Sequence, residues 1–427
     1  MTYRSPRPWL VALAAAPLAC TNPIELETDS AESGNMTAPS GPMSGPTSGS
    51  SGPTTVDPDD TGSTLPTERQ VDILFVVDNT GSMGDEQGLM VQGVNALLDA
   101  LDGANPPVGY RIGVTTTDNG NPWCAGTGPE AGSLRATSCR SRPTEFVFEG
   151  AQTIDAYAVA CENVCALDSF TITDAKPWIE VDGLAGTANV AVDQVRDAIR
   201  CMLPQGIDGC GFESQLESAW KAVRRFDTDD DASFGFHRDG ALLVILFITD
   251  EADCSYNNDW ETIFLPEGNR VFWSDPDAPA PSSAVCWNAG VACIGSGIYE
   301  DCMPVDLDAD GNELPATSAD DLAVLRPVER YTEEFSAVGA YVAAINGVNA
   351  DGTVTYADSV ADPVYQSDFG IGPGCESGET RAVPPVRLRA VIDEVNSDPE
   401  PAMFSICNAN YSSTFESLAS RILTRLP

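Results

Sequence analysis

From residue 70 onward, short apolar runs alternate with segments whose apolar residues recur every three or four positions. Residues 73–77 are an unbroken run of strand formers and predict a buried strand. Met90, Val94, Leu97, Leu98 and Leu101 then fall on one face of a helix over 86–101, and 110–116 (YRIGVTT) alternates like a second strand. Helices follow at about 189–203, with Val192, Val195, Ile199 and Met202 at helical spacing, and at 214–226, burying Leu216, Ala219, Trp220 and Val223. The stretch ALLVILFI, 241–248, is apolar throughout, which predicts a central strand covered on both faces. Further strands are expected at 341–345 and 403–406. Ser413-x-x-Glu416 reads as a capping box opening a last helix with Phe415, Leu418 and Ile422 inward. This alternation predicts an α/β fold built on a doubly wound, mostly parallel sheet. Two stretches, about 118–188 and 254–328, lack the periodicity and read as long insertions, which tend to be functional.

Composition supports a folded domain and adds an address. The chain has 427 residues, 42% of them hydrophobic, enough for a sizeable core. Its net charge of −42, from 64 acidic and 22 basic residues, leaves no basic patch for nucleic acid. Bulk acidity of this kind also serves solubility or salt tolerance. At the N-terminus, Arg4 and Arg7 precede an apolar stretch, 9–19, too short to span a bilayer. Cys20 follows directly, and the whole of 1–20 resembles a bacterial lipoprotein signal with Cys20 as the lipidation site, although Pro17 stands where leucine is usual. Setting Cys20 aside from the 13 cysteines leaves an even number, suited to disulfides in an oxidising compartment. Residues 21–66 are rich in Gly, Ser, Pro and Thr and read as a disordered tether with a reach of about 35–40 Å. The expected layout is signal, tether and one domain over 67–427, on a bacterial outer membrane through the lipid alone, or secreted if Cys20 is not lipidated.

Candidate chemistry sits where two strands end in acid: FVVD at Asp78 and LFITDE at Asp250. In a doubly wound sheet, sites form beyond the carboxyl ends of strands where the winding reverses, so neighbouring strands would bring Asp78, Thr80, Ser82 and Asp250 together. Carboxylates and hydroxyls are hard oxygen donors suited to Mg²⁺ or Ca²⁺. The alternative reading is that Asp78 and its neighbours only cap the following helix.

VDILFVVDNTGSM resembles the opening of a von Willebrand factor A (VWA) domain, whose metal-ion-dependent adhesion site (MIDAS) reads Asp-x-Ser-x-Ser. Here it stands as Asp78-x-Thr80-x-Ser82, and FITDEADCS is similar to the family's later strand, whose terminal aspartate, Asp250 here, completes the site through water. PGCES (373–377) and FSICNANYSS (404–413) look like closing segments of secreted bacterial members. The resemblance implies Mg²⁺, or Ca²⁺ or Mn²⁺, with one position left for a carboxylate from a protein or matrix ligand. The family's further threonine is missing from the loop GIDGCGFES, 206–214: Cys210 stands in its place and is read as paired with Cys201, while Asp208 and Glu213 are candidate substitute ligands.

A second acidic cluster, Asp306, Asp308 and Asp310 with Gly311, matches the first half of a calcium loop, but Thr317 replaces the closing glutamate. It reads either as a structural Ca²⁺ loop or as a solvated turn. His237 is the only histidine, so a catalytic triad or a histidine-based zinc site would depend on it alone. The expectation is a binding module and not an enzyme, with no catalytic residues. A metal-assisted hydrolase using the same acids and a structural envelope protein with a vestigial site are the rivals.

Overall fold

A computed structural model describes residues 69–150, 152–396 and 402–426. The signal, Cys20 and the tether over 21–66 lie outside the described residues. Seven strands form the central sheet: β1 (Arg69–Val77), β2 (Val108–Thr116), β3 (Trp178–Asp182), β4 (Thr187–Ala188), β5 (Leu242–Ile248), β6 (Tyr341–Asn346) and β7 (Met403–Ser405), in the order β7-β6-β5-β1-β2-β3-β4. The five strands from β7 to β2 are parallel, and β3 and β4 continue the sheet antiparallel beyond β2. β1 and β5 are buried almost throughout, which is why they read as continuous apolar runs. β1 pairs with β2 on one side and β5 on the other, so the winding reverses at β1 and a crevice opens between the C-terminal ends of β1 and β5.

Helices form two groups on this sheet. α1 (Gly84–Asp102) packs with α2 (Val195–Met202) and with the C-terminal helix, Ser412–Arg425. α3 (Gln215–Phe226) packs with Glu329–Ala337, and that helix with Val386–Asn396. Gly93 lets α1 approach the last helix closely, since a Cβ there would crowd Phe415 and Tyr411. The capping box at Ser413 does not form. The cap position falls two residues earlier, at Tyr411, the helix begins at Ser412, and it is Asn410 Oδ1 that accepts the Ser412 N–H at 2.6 Å.

The first insertion is not all excursion, because its last part returns to the sheet as β3 and β4. That return was hidden from periodicity by the short length of both strands. Six disulfides hold the irregular segments: Cys124–Cys210, Cys139–Cys161, Cys165–Cys201, Cys254–Cys286, Cys293–Cys302 and Cys375–Cys407. The expected Cys201–Cys210 pair is therefore corrected. Each of those cysteines instead fastens the first insertion to the body of the domain, across separations of 36 and 86 residues. Neighbours in sequence made the shorter bridge look natural, but the longer closures restrict the unfolded chain more.

Candidate metal centre

The ends of β1 and β5 lie side by side, with Val77 paired to Ile248, and the Asp78 N–H donates to the Ile248 carbonyl at 2.9 Å. The sheet thus fixes the backbone of Asp78, whose side chain is fully buried. Its Oδ1 accepts from the Thr80 N–H at 2.9 Å and the Thr80 hydroxyl at 2.7 Å. Its Oδ2 accepts from the Thr249 hydroxyl at 2.7 Å. Thr80 Oγ1 is 3.2 Å from Ser82 Oγ, and the nearby Ser82 hydroxyl favours the charged form of the Asp250 carboxylate. Asp78, Thr80, Ser82 and Asp250 therefore gather at the crevice. They do not cap α1: the residue before that helix is Met83, and no side chain bonds its N–H groups there. A capping role has no hydrogen bond behind it.

The loop 206–214 closes the third side. Gly209 N–H donates to the Asn79 carbonyl at 2.9 Å and Ser214 N–H to the Thr117 carbonyl at 3.0 Å, laying the loop across the ends of β1 and β2. Gln87 of α1 staples it there: Nε2 donates to the carbonyls of Asp78 and Gly206 at 2.9 and 2.7 Å, and Oε1 accepts from the Gln205 N–H at 2.9 Å. Asp118 Oδ2 accepts from the Cys210 N–H at 3.2 Å. Of the two candidate substitutes, Asp208 is exposed and faces Glu145, Arg135 and Glu130. Glu213 is fully buried, turned toward the charges of Asp78, Asp118, Glu251 and Asp250.

The electrostatics follow from putting acids out of water together. Burial, reinforced by those four charges, holds the Glu213 carboxyl well above the usual carboxylate range. Burial and then Asp78, Glu251 and Glu86 do the same to Asp250. Burial and the Asp78 charge push Glu251 up to about 8. Asp78 itself is raised by burial, against the hydrogen bonds from Thr249 and Thr80. No salt bridge among the described residues reaches Asp78, Asp250, Glu251 or Glu213. Asp250 Oδ1 and both Glu213 carboxylate oxygens are buried acceptors without a donor. Each such orphan costs about 1–3 kcal/mol, more when charged, and a cation is the group that would satisfy them. The donor set suits a hard cation, since it holds no thiolate or imidazole. The acids are not packed into a three-carboxylate cluster.

Beside this point opens a cleft of about 1590 Å³, with Glu251, Gly209 and Phe212 among its lining. The first insertion supplies Trp123 and Phe148 to its walls, and the second supplies Trp273 to Ser283 in part. The Phe148 ring, on the wall of the cleft, lies over Gly81 of the DNTGS turn, where a Cβ would stand 3.2 Å from it.

The chain matches no family description and no curated protein sequence. Its fold is similar to several solved structures. The pilus adhesin SpaC of Lactobacillus rhamnosus GG shares 12% identity over 85% of this chain and 31% of that one, with a TM-score of 0.34. The vWF domain of the type V pili tip protein Mfa5 of Porphyromonas gingivalis shares 10% over 84% of this chain and 97% of that one, with a TM-score of 0.32. The human COPII-coat protein Sec24c shares 10% over 84% and 32%, at 0.31. This chain spans about a third of the SpaC structure. Identities and scores this low lend none of these proteins' activities to the chain.

Several contributors had little or no signal in the sequence. Thr249 and Glu251 flank Asp250 and were within the quoted motif, whereas Gln87 is an ordinary polar residue on a helix and Asp118 opens an insertion. The calcium-loop candidates are not drawn together as a three-carboxylate cluster. Asp308 Oδ1 accepts the N–H groups of Asp310 and Asn312, both at 2.9 Å, so the turn already uses that carboxylate itself. His237 precedes β5 at the edge of the sheet opposite Asp78, and its Nε2 lies 3.2 Å from the Ala241 carbonyl.

Proposed function

We propose that the chain is a cell-envelope lipoprotein displaying a VWA-like interaction domain, which holds a divalent cation through Asp78, Thr80 and Ser82, with Asp250 and Glu213 around them. Mg²⁺ is the first candidate, Ca²⁺ and Mn²⁺ the others. The observation that carries this reading is the set of buried, donorless carboxylate oxygens of Asp250 and Glu213 beside the Asp78–Thr80–Ser82 network. When bound, the cation supplies a positive centre that attracts a carboxylate of a protein or matrix partner. Asp78 anchors the site to the sheet, Thr80 and Ser82 present neutral oxygens that leave charge for the partner, and Thr249 fixes the Asp78 carboxylate. No helix among the described residues is long and apolar enough to cross a membrane. Attachment is assigned to lipidated Cys20, with residues 21–66 as the tether.

The test is the melting temperature of the full chain in EDTA and in Mg²⁺. The wild type is expected to melt several degrees higher in Mg²⁺ and Asp78→Ala to show no difference. A wild-type melting temperature indifferent to both Mg²⁺ and Ca²⁺ overturns the reading.

A further inference from the structure

The cleft beside the crevice has a charge character of its own. Six acidic side chains line it, Glu149, Asp208, Glu251, Asp275, Asp362 and Asp368, of which Glu251 is held protonated at neutral pH by its burial, and one base, Arg381. Arg381 is already committed: it pairs with Asp362 at 2.8 Å, and its guanidinium stacks 4.4 Å from the centre of the Tyr365 ring. The other five acids pair with no basic side chain among the described residues.

Two observations beyond acidity point to a ligand. The Tyr365 side chain lines the cleft, is 5% exposed, and its hydroxyl is buried without a hydrogen-bond partner. A phenol in that position seeks a polar group from outside, as a buried hydroxyl is seldom left unpaired. The wall also carries aromatic faces: Trp123, 39% exposed, and Phe148 over Gly81. Aromatic faces interleaved with carboxylates bind lysine and arginine side chains twice over, by cation–π attraction and by ion pairing. They disfavour an acidic segment.

We infer that the partner segment is a basic polypeptide, in which the carboxylate that reaches the cation is flanked by lysine or arginine side chains seated in this cleft. This deepens the reading of the previous subsection and rests on it. The metal supplies the attraction for one carboxylate, and the cleft decides what surrounds that carboxylate. The flanking cations also offset the like-charge repulsion that a carboxylate meets on approaching a protein of net charge −42.

The experiment pans a random peptide library displayed on phage against the full chain in Mg²⁺ at low ionic strength. Recovered peptides are then sequenced, synthesised and titrated. They are expected to be enriched in lysine and arginine around an aspartate or glutamate. Their affinity is expected to fall about tenfold or more in the triple variant Glu149→Gln, Asp275→Asn, Asp368→Asn. A matched variant, Asp227→Asn, Asp229→Asn, Asp230→Asn, removes as much charge away from the cleft and is expected to leave affinity unchanged. Melting temperatures of both variants check that the fold is retained, and neutralising acids on so acidic a surface lowers repulsion. Recovery of no peptides, recovery of peptides without basic enrichment, or equal losses in both variants overturns the inference. EDTA separates the two layers. Basic peptides that stay bound in EDTA sink the metal reading, whereas EDTA-released peptides lacking basic residues leave the metal reading standing and sink the cleft.

Discussion

At the scale of single residues, Glu213 is the most telling side chain. It carries a carboxyl into a fully buried place already occupied by negative charge, with no donor for either oxygen. Because its folded carboxyl is raised above the unfolded value, the folded state holds a proton that the unfolded chain has released at neutral pH, which costs stability there. Glu213→Gln removes that cost, and is expected to stabilise the EDTA-treated protein by roughly 1–2 kcal/mol while shrinking the rise produced by Mg²⁺. Differential scanning fluorimetry in both buffers reads the two effects, and a variant less stable in EDTA than the wild type contradicts the assignment. The same linkage gives a pH dependence. Raised groups make the folded state bind more protons, so stability in EDTA is fully present near pH 4 and declines as pH rises, through the titration of Glu251 at about 8. Saturating Mg²⁺ favours the charged carboxylates and is expected to flatten that decline. Melting curves from pH 5 to 9 with an equal slope in EDTA and in Mg²⁺ would speak against a shared site.

At the scale of elements, the crevice depends on pieces that reach it from far along the chain. The Cys124–Cys210 bridge fastens the first insertion to the loop that carries Glu213. In the chain-entropy picture a closure spanning 86 residues stabilises by about 4–5 kcal/mol. Cys124→Ser with Cys210→Ser is expected to lower the melting temperature substantially and to weaken the Mg²⁺ response, read by calorimetric titration. Another such element is the hairpin of Cys375–Ser377 and Thr380–Ala382, after which the Val383 N–H donates to the Asp250 carbonyl at 2.8 Å. Gly347 permits that approach, since a Cβ there would collide with the Val383 carbonyl. Gly347→Ala is therefore expected to destabilise by roughly 1–3 kcal/mol and to displace Asp250, with a reduced Mg²⁺ shift as its signature.

These elements also mark where the sequence was and was not readable. β1 and β5 were legible because both faces of each are covered, which writes an unbroken apolar run; α1 and α3 were legible through their inward stripes. Asp78, Thr80, Ser82 and Asp250 followed from where those strands stop. The cysteine partners were not legible, because closure across dozens of residues leaves no local pattern. Nor was the route of 206–214, whose placement rests on Gln87 and on backbone bonds to Asn79 and Thr117, groups any sequence carries. Ser413-x-x-Glu416 misled for a related reason: the motif is real in sequence, but the last helix, which packs on α1, is capped at Tyr411, two residues earlier.

At the scale of the molecule, the net charge of −42 sets a background of self-repulsion. Raising NaCl from about 10 mM to about 150 mM shortens the screening length from about 30 to about 8 Å and is expected to raise the melting temperature of the EDTA-treated protein. Mg²⁺ at constant ionic strength is expected to add a further rise, and Asp78→Ala to lose only that part. The position of β1 has a mechanical meaning as well. The segment preceding Arg69 enters the middle strand of the sheet, and the proposed partner is held at the other end of that strand, at Asp78. Tension between the two therefore runs along β1, whose registers span nine residues with β2 and seven with β5. Both anchor points lie on this one strand, so the load passes along its covalent backbone and leaves the ladders on either side unsheared. Under the proposed tethering and binding, a pull by flow would then release the ligand before the fold gave way.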